Sequence, residues 1–160
     1  MGLVAAAVSL DVTELINLIF VALLVGNDVA VWMVVHPALD EIPVAHAFTA
    51  ERAMLLRYKT VVPILIFLIL ASGIAVILQE DTFSWEWWLA LAGTLMIFAW
   101  QLIVISLYPI NIKIMEASPE DVPPEDEWRK MRRVWLARHT ARMVLSIGAL
   151  VAFLISAIRI

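Results

Sequence analysis

The sequence has no cysteine at all. That excludes a disulfide framework, a thiolate metal site, a cysteine nucleophile and covalent haem attachment. Imidazoles are few: His36, His46 and His139 are the whole set. Charge is scarce as well. Of 160 residues, 16% are charged and 63% are hydrophobic, and this asks for a lipid solvent. The net charge of −4 carries little information, because the charges are segregated along the chain. Residues 1–10 lack the basic start of a cleavable leader, and no Ser or Thr follows Gly2 where a myristoylation signal needs one.

What is present is four apolar stretches, at about residues 15–35, 61–78, 87–108 and 139–158. Each is long enough to cross a hydrocarbon core of about 30 Å, which takes about 20 helical residues. Lone strands are excluded, since their backbone groups would go unpaired in lipid. The expected fold is all-α: one integral membrane four-helix domain spanning residues 1–160. A short amphipathic helix, residues 46–58, is expected at the interface between the first two spans. Pro37 is expected to end the first span, and His46 reads as a solvated loop residue. A helix is expected to start near Pro124, with Glu125, Asp126 and Glu127 at its positive end, and to run unbroken into span four.

Eleven Lys and Arg residues set the orientation. Ten lie in or beside the first and third links, and only Arg159 lies elsewhere. By the positive-inside bias, links 36–59 and 109–138 are expected in the cytoplasm and both termini outside. Trp85, Trp87 and Trp88 then form an outer aromatic belt.

The polar residues converge on the basic side. On the fourth helix, Trp128, Trp135, His139, Arg142 and Ser146 fall within about 60° of one another at 100° per residue. Ionisable groups at the membrane edge face the bundle interior and are functional by default. The bland alternative has Arg142 reaching to lipid phosphates and His139 capping the interface. On the first helix, Asp28, Trp32 and His36 are spaced by four residues, with Asp28 about 12 Å deeper than His36. An unpaired Asp at that depth costs roughly 2.5–3.5 kcal/mol. Arg142 is its expected partner; protonation with a bond to Asn27 or Gln101 is the alternative. On the third helix, Thr94, Gln101 and Tyr108 share a face. Pro109 frees the carbonyl of Ile105, and Asn111 offers a donor and an acceptor. Pro63 is expected to kink the second helix, and Lys59 reads as an interfacial anchor.

These motifs together resemble a known family. His36-Pro37-Ala38-Leu39 ends the first span, Tyr108-Pro109-Ile110-Asn111 the third, and Trp135-Leu136-Ala137-Arg138-His139-Thr140-Ala141-Arg142 opens the fourth. The pattern is similar to the anthrone oxygenase-like family of small four-helix membrane proteins. Members of known activity oxidise anthrones to anthraquinones with O₂. The positions that match the family's polar motif are His36, Pro37, Asn111, Trp135, His139 and Arg142. Asp28 and the Trp-rich turn before the third span depart from it.

The chemistry suits these residues. An anthrone has an acidic C–H beside a carbonyl, and its carbanion reacts with O₂ directly. A histidine base, His139 first and His36 second, would remove the proton. Asn111 or Arg142 would stabilise the enolate oxygen. Trp32, Tyr108, Trp135 and Asp28 would line the substrate site. No cofactor is required in this reading.

Two other classes stand beside it. His36 and His139 lie at similar depth on different helices, which suits a haem or a transition metal between them. Alternatively, the protein is a non-catalytic subunit or homo-oligomer, with helix faces at Gly26, Gly73, Gly93 and Gly148 packing on a partner. A transporter is disfavoured, since no repeat is evident. Nucleic acid is not an expected partner, because the basic residues hug the membrane and suit anionic lipid.

Overall fold

Asp11 starts the first helix. Its carboxylate accepts from the Thr13 N–H at 3.0 Å, and Glu14 returns a bond to the Asp11 N–H at 2.8 Å, closing a capping box. The computed structural model describes residues 10–118 and 120–158. The expectations for residues 1–9 and Arg159 lie outside these. Helix α1 runs Val12–Ala30, continues through a π-helical turn at Val31–Val35, and ends in α2, His36–Asp40. Helices α3 (Val44–Gln79), α4 (Trp85–Glu116) and α5 (Glu125–Ala157) follow. All four long helices, counting Val12–Asp40 as one, are long and apolar enough to cross a membrane. Their outward faces carry Phe67, Leu78, Leu95 and Val144, which fit a bilayer rather than water.

The helices pack in a ring in chain order: α1 against α3 and α5, and α4 against α3 and α5. The end holding the termini is pinned by polar bonds. Asn17 Nδ2 donates to the Ser72 hydroxyl at 3.0 Å, Gln79 Nε2 to Thr13 Oγ1 at 3.1 Å, and Ser156 Oγ to the Glu86 carbonyl at 2.9 Å. Next to it lies the main core, built on Leu24, Ile69, Ile97, Trp100 and Phe153. Two glycines bring the backbones together there. A Cβ on Gly93 would stand 2.9 Å from the Phe153 ring, and one on Gly73 would stand 2.8 Å from the Thr94 hydroxyl. Gly148 faces Met96, and only Gly26 has nothing within 4 Å. Three of the four glycines expected to meet a partner are thus spent inside this bundle.

At the other end, helices α3, α4 and α5 run on past the main core, each longer than the roughly 20 residues that cross a hydrocarbon core. Thirty-three residues of α5 make about 50 Å of helix. A second core of Leu39, Phe48, Leu55, Ile114 and Trp128 holds these extensions together. Arg52, Arg57, Lys113, Arg129 and Arg133 all sit at this end of their helices.

Three local expectations change. Residues 46–58 are not a separate helix but the first half of α3, and exposed His46 is helical. No Gly or Pro stands between Tyr58 and Val62 to break the run. Pro37 does not end the first helix either; the wide π turn ahead of it accommodates the missing N–H, and the chain stays helical to Asp40. Pro109 likewise lies inside α4, which continues to Glu116. The Arg138 guanidinium donates at 2.6 Å to the Ser106 carbonyl in that disturbed turn.

Candidate functional site

The stripe on α5 points inward. Trp128, Trp135, His139 and Ser146 are buried, and the Arg142 side chain is 12% exposed. These groups build two centres, each made of a histidine and an arginine.

The deeper centre surrounds Asp28, which is fully buried. Its Oδ2 accepts from the Trp100 indole N–H at 2.7 Å and from the Ser146 hydroxyl at 3.2 Å. Its Oδ1 lies 3.8 Å from Arg142 Nε, so the two charges expected to pair do face each other. Neither of those two atoms has a hydrogen-bond partner among the described residues. The Arg142 guanidinium lies between two indoles, 5.2 Å from the Trp100 ring and 5.1 Å from the Trp135 ring. Its Nη2 donates to His139 Nδ1 at 2.6 Å. A guanidinium only donates, so Nδ1 holds the lone pair and Nε2 the proton. That Nε2–H in turn donates to the Asp28 carbonyl at 2.9 Å. His139 is therefore a neutral ring with both nitrogens engaged.

The second centre lies further out, with its arginine, Arg132, ten residues and nearly three α5 turns before Arg142. Arg132 Nη1 donates to His36 Nδ1 at 2.7 Å, and Nη2 to the His36 carbonyl at 3.0 Å. Arg132 also meets Asp40 at 2.8 Å and buried Glu51 at 3.4 Å. Trp135 joins the centres: it stacks on His139 at 4.8 Å and 15°, and packs on His36 at 4.4 Å. Of the four imidazole nitrogens in the two rings, His36 Nε2 alone has no partner among the described residues. The two rings touch edge to face with centroids 5.4 Å apart. As arranged, this pair does not fit as joint ligands of a haem, since three of their four nitrogens are already engaged within the protein. Among the described residues, no group of three or more His, Cys, Asp or Glu could hold a metal ion.

A cleft of about 270 Å³ opens between α3 and α4. Its walls are largely apolar, with Val62, Val104 and Ile105, and its floor presents Asp28, Trp100 and Arg142. Pro63 on one wall and Pro109 beyond the other each remove an N–H, leaving the carbonyls of Lys59 and Ile105 without their usual helical donors. Both of those residues line the cleft. Tyr58 does too, and its hydroxyl donates to Asn27 Oδ1 at 3.1 Å. Asn111 Oδ1 accepts from the Trp135 N–H at 3.3 Å.

The cleft brings together five of the eight residues expected at a site: Asp28, Tyr108, Asn111, Trp135 and Arg142. His139 and His36 do not line it; they stand behind Arg142 and Trp135. Trp32 is on another face, 37% exposed, with its N–H donating to Thr140 at 3.0 Å. With His36, Pro37 and Asp40 it lines a separate shallow pocket between α1 and α5.

Trp100, Arg132 and Glu51 belong to the two centres, and Tyr58 to the cleft, without having been expected there. Two of them carried a signal. The stripe arithmetic puts Arg132 about 40° from Trp128 on the inward face. A tryptophan in mid-span needs a partner for its N–H, and Asp28 was the open acceptor.

A family model described as anthrone oxygenase matches residues 52–152. The matched stretch holds most of α3, all of α4 and most of α5, and therefore both cleft walls and the Trp135–Arg142 segment. Asp28 and His36 precede it. No curated protein and no solved structure matches the chain. On the strength of the family match across most of its length, the chain belongs to the anthrone oxygenase family.

Proposed function

We propose that the protein oxidises a flat, apolar, anthrone-like substrate with O₂, drawing it from the bilayer into the α3–α4 cleft. The observation that carries this reading is the cleft itself: apolar walls at membrane depth over a floor where a guanidinium and a carboxylate meet. The substrate ring lies against Val62, Val104 and Trp135, and its carbonyl oxygen points to Arg142 and Asn111. Loss of the C–H proton moves negative charge onto that oxygen. Fixed donors in a site shielded from water stabilise such charge strongly; one donor is worth about 10²–10³ in rate.

The proton goes to a base at the floor. His139 was the first choice from sequence, but its Nδ1 lone pair is held by Arg142 and its Nε2 carries the proton. Asp28 Oδ1 accepts no hydrogen bond among the described residues, and Asp28 lines the floor. Asp28 is therefore the base in this reading, and His139 is a positioning residue that aims Arg142. The carbanion then gives electrons to O₂ and forms a C–O bond. The resulting hydroperoxide loses water to leave a second carbonyl, so anthrone and O₂ give quinone and water, and both atoms of O₂ are accounted for. No metal or haem takes part. The Lys and Arg bias puts the cleft near the cytoplasmic face, with the extensions of α3, α4 and α5 in the cytoplasm.

The test is quinone formation and O₂ uptake by detergent-purified protein given an anthrone, with an absorption spectrum and metal analysis of the same sample. Turnover by colourless, metal-free protein is expected. No turnover of any anthrone, or turnover that tracks haem or metal content, sinks the reading. His139→Asn separates the histidine roles, because Asn can accept from Arg142 yet is no base. Retained activity in His139→Asn but not His139→Ala marks positioning; equal loss in both restores His139 as the base.

A further inference from the structure

The cleft is unbalanced in charge. Two cations and one anion line it: Lys59, Arg142 and Asp28. Asp28 answers Arg142 across 3.8 Å. Lys59 has no ion-pair or hydrogen-bond partner for its ammonium among the described residues. Its side chain is exposed, so the ammonium stands at the mouth of the cleft. The residue before it, Tyr58, also lines the cleft and bonds Asn27, the chain neighbour of Asp28. Lys59 also shares the cleft-facing side of α3 with Leu55, Val62 and Pro63, at helical spacings of four, three and four residues. An unanswered ammonium beside apolar walls is the recognition pattern for an amphiphilic anion.

We infer that the cleft selects a polycyclic aromatic acid, seating the ring system against Val62, Val104 and Ile105 and its carboxylate or phenolate on Lys59. This rests on the oxygenase reading only in assigning that anion to the substrate. The division of labour follows from the charges. Arg142, already neutralised by Asp28, is free of strong affinity for a resting anion and meets charge as it develops. Lys59, unneutralised, meets charge that the molecule brings with it. A lipid phosphate carries the same kind of anionic oxygen, and the test separates the two.

Quenching of the cleft tryptophans by anthracene carboxylate and by uncharged anthracene methanol reads binding without turnover. In nanodiscs of zwitterionic lipid, wild-type protein is expected to bind the acid more tightly. Lys59→Met is expected to lose on the order of tenfold for the acid alone, as for loss of a hydrogen bond to a charged group. Binding of the alcohol shows that the variant is folded, and Lys59→Arg is expected to keep the preference. Equal binding of both probes by wild type, or equal loss of both in Lys59→Met, overturns the inference. So does a wild-type-to-variant ratio that disappears in phosphatidylglycerol nanodiscs, because lipid phosphate then holds Lys59. Selective binding by a protein that oxidises no anthrone would remove the oxygenase reading and leave this site standing.

Discussion

Two centres on α5 use the same pair of side chains to different ends. Arg142 grips His139 at 2.6 Å, and Arg132 grips His36 at 2.7 Å, each through Nδ1. Both arginine side chains are 12% exposed. The difference lies in what else each arginine touches. Arg132 is saturated: two bonds to His36, two to a single Asp40 oxygen and a longer one to Glu51. Its Asp40 partner is 61% exposed, so water shares that charge. Arg142 is left incomplete. Its Nε and the facing Asp28 Oδ1 are both buried and unbonded, and both residues line the cleft. Among the described residues, the outer centre leaves one buried atom unbonded, His36 Nε2, away from the cleft, whereas the unbonded atoms of the inner centre belong to residues that line it, where a ligand can meet them. The outer centre is a clamp joining α2, α3 and α5, and the inner one is the floor of the cleft.

Breaking the inner centre carries the largest expected effect. Arg142→Gln leaves the Asp28 carboxylate buried without its cation, which costs about 3–5 kcal/mol of stability. Activity is expected to fall by about 10² or more as well, through loss of an oxyanion donor. Adding Asp28→Asn should recover much of the stability, read by thermal unfolding in detergent, and none of the quinone formation. Recovered activity in the double variant would mean that the pair is structural and the comparison is drawn in the wrong place.

Arg132→Gln comes next. Here Glu51 is stranded, but Asp40 returns to water, so about 2–3 kcal/mol is expected. Affinity for an anthracene probe in the cleft should be unchanged where the protein is folded. A cleft that loses its ligand in Arg132→Gln would show the two centres to be one coupled unit through Trp135. Trp135→Phe probes that link directly. It keeps the ring stacking but removes the 3.3 Å bond to Asn111, with an expected loss of about 1 kcal/mol. Its clearer signature is a weaker donor set at Asn111, read as a lower kcat with little change in KM. Asp40→Asn is the smallest perturbation. A half-exposed ion pair contributes at most about 1 kcal/mol, and that fraction should fade with added salt.

Much of this was legible in the chain. Hydropathy alone places the four spans, since about 20 apolar residues have no other use in so small a protein. The Pro124 start of the last helix followed from proline and three carboxylates, and the observed helix begins at Glu125. The inward stripe of α5 followed from a 3.6-residue period that no proline or glycine disturbs before Gly148. The facing of Asp28 and Arg142 followed from depth, because a buried charge restricts its possible neighbours.

The first helix shows where such reasoning stops. Asp28, Trp32 and His36 were expected on one face at a regular helical step. The π turn at Val31–Val35 spends an extra residue, so the step across it is not regular. Asp28 and His36 end buried, and Trp32 between them faces outward. Nothing in Val-Trp-Met-Val-Val announces that turn. Just before it the His139 N–H takes the Asp28 carbonyl, a bond from α5 that the first helix's own sequence does not show.

The sequence by itself determined the solvent, the number of helices, the clustering of cations at one end and the identity of the inward stripe. Each depends on spacing along one helix or on the cost of moving a group into lipid, and both are local quantities. Only the tertiary structure decided that the histidines stand behind the cleft and Trp100 and Arg142 in it. Which side of a buried residue meets a cavity depends on how four helices close into a ring. That arrangement is fixed by close contacts such as Gly93 against Phe153, between residues far apart in the chain.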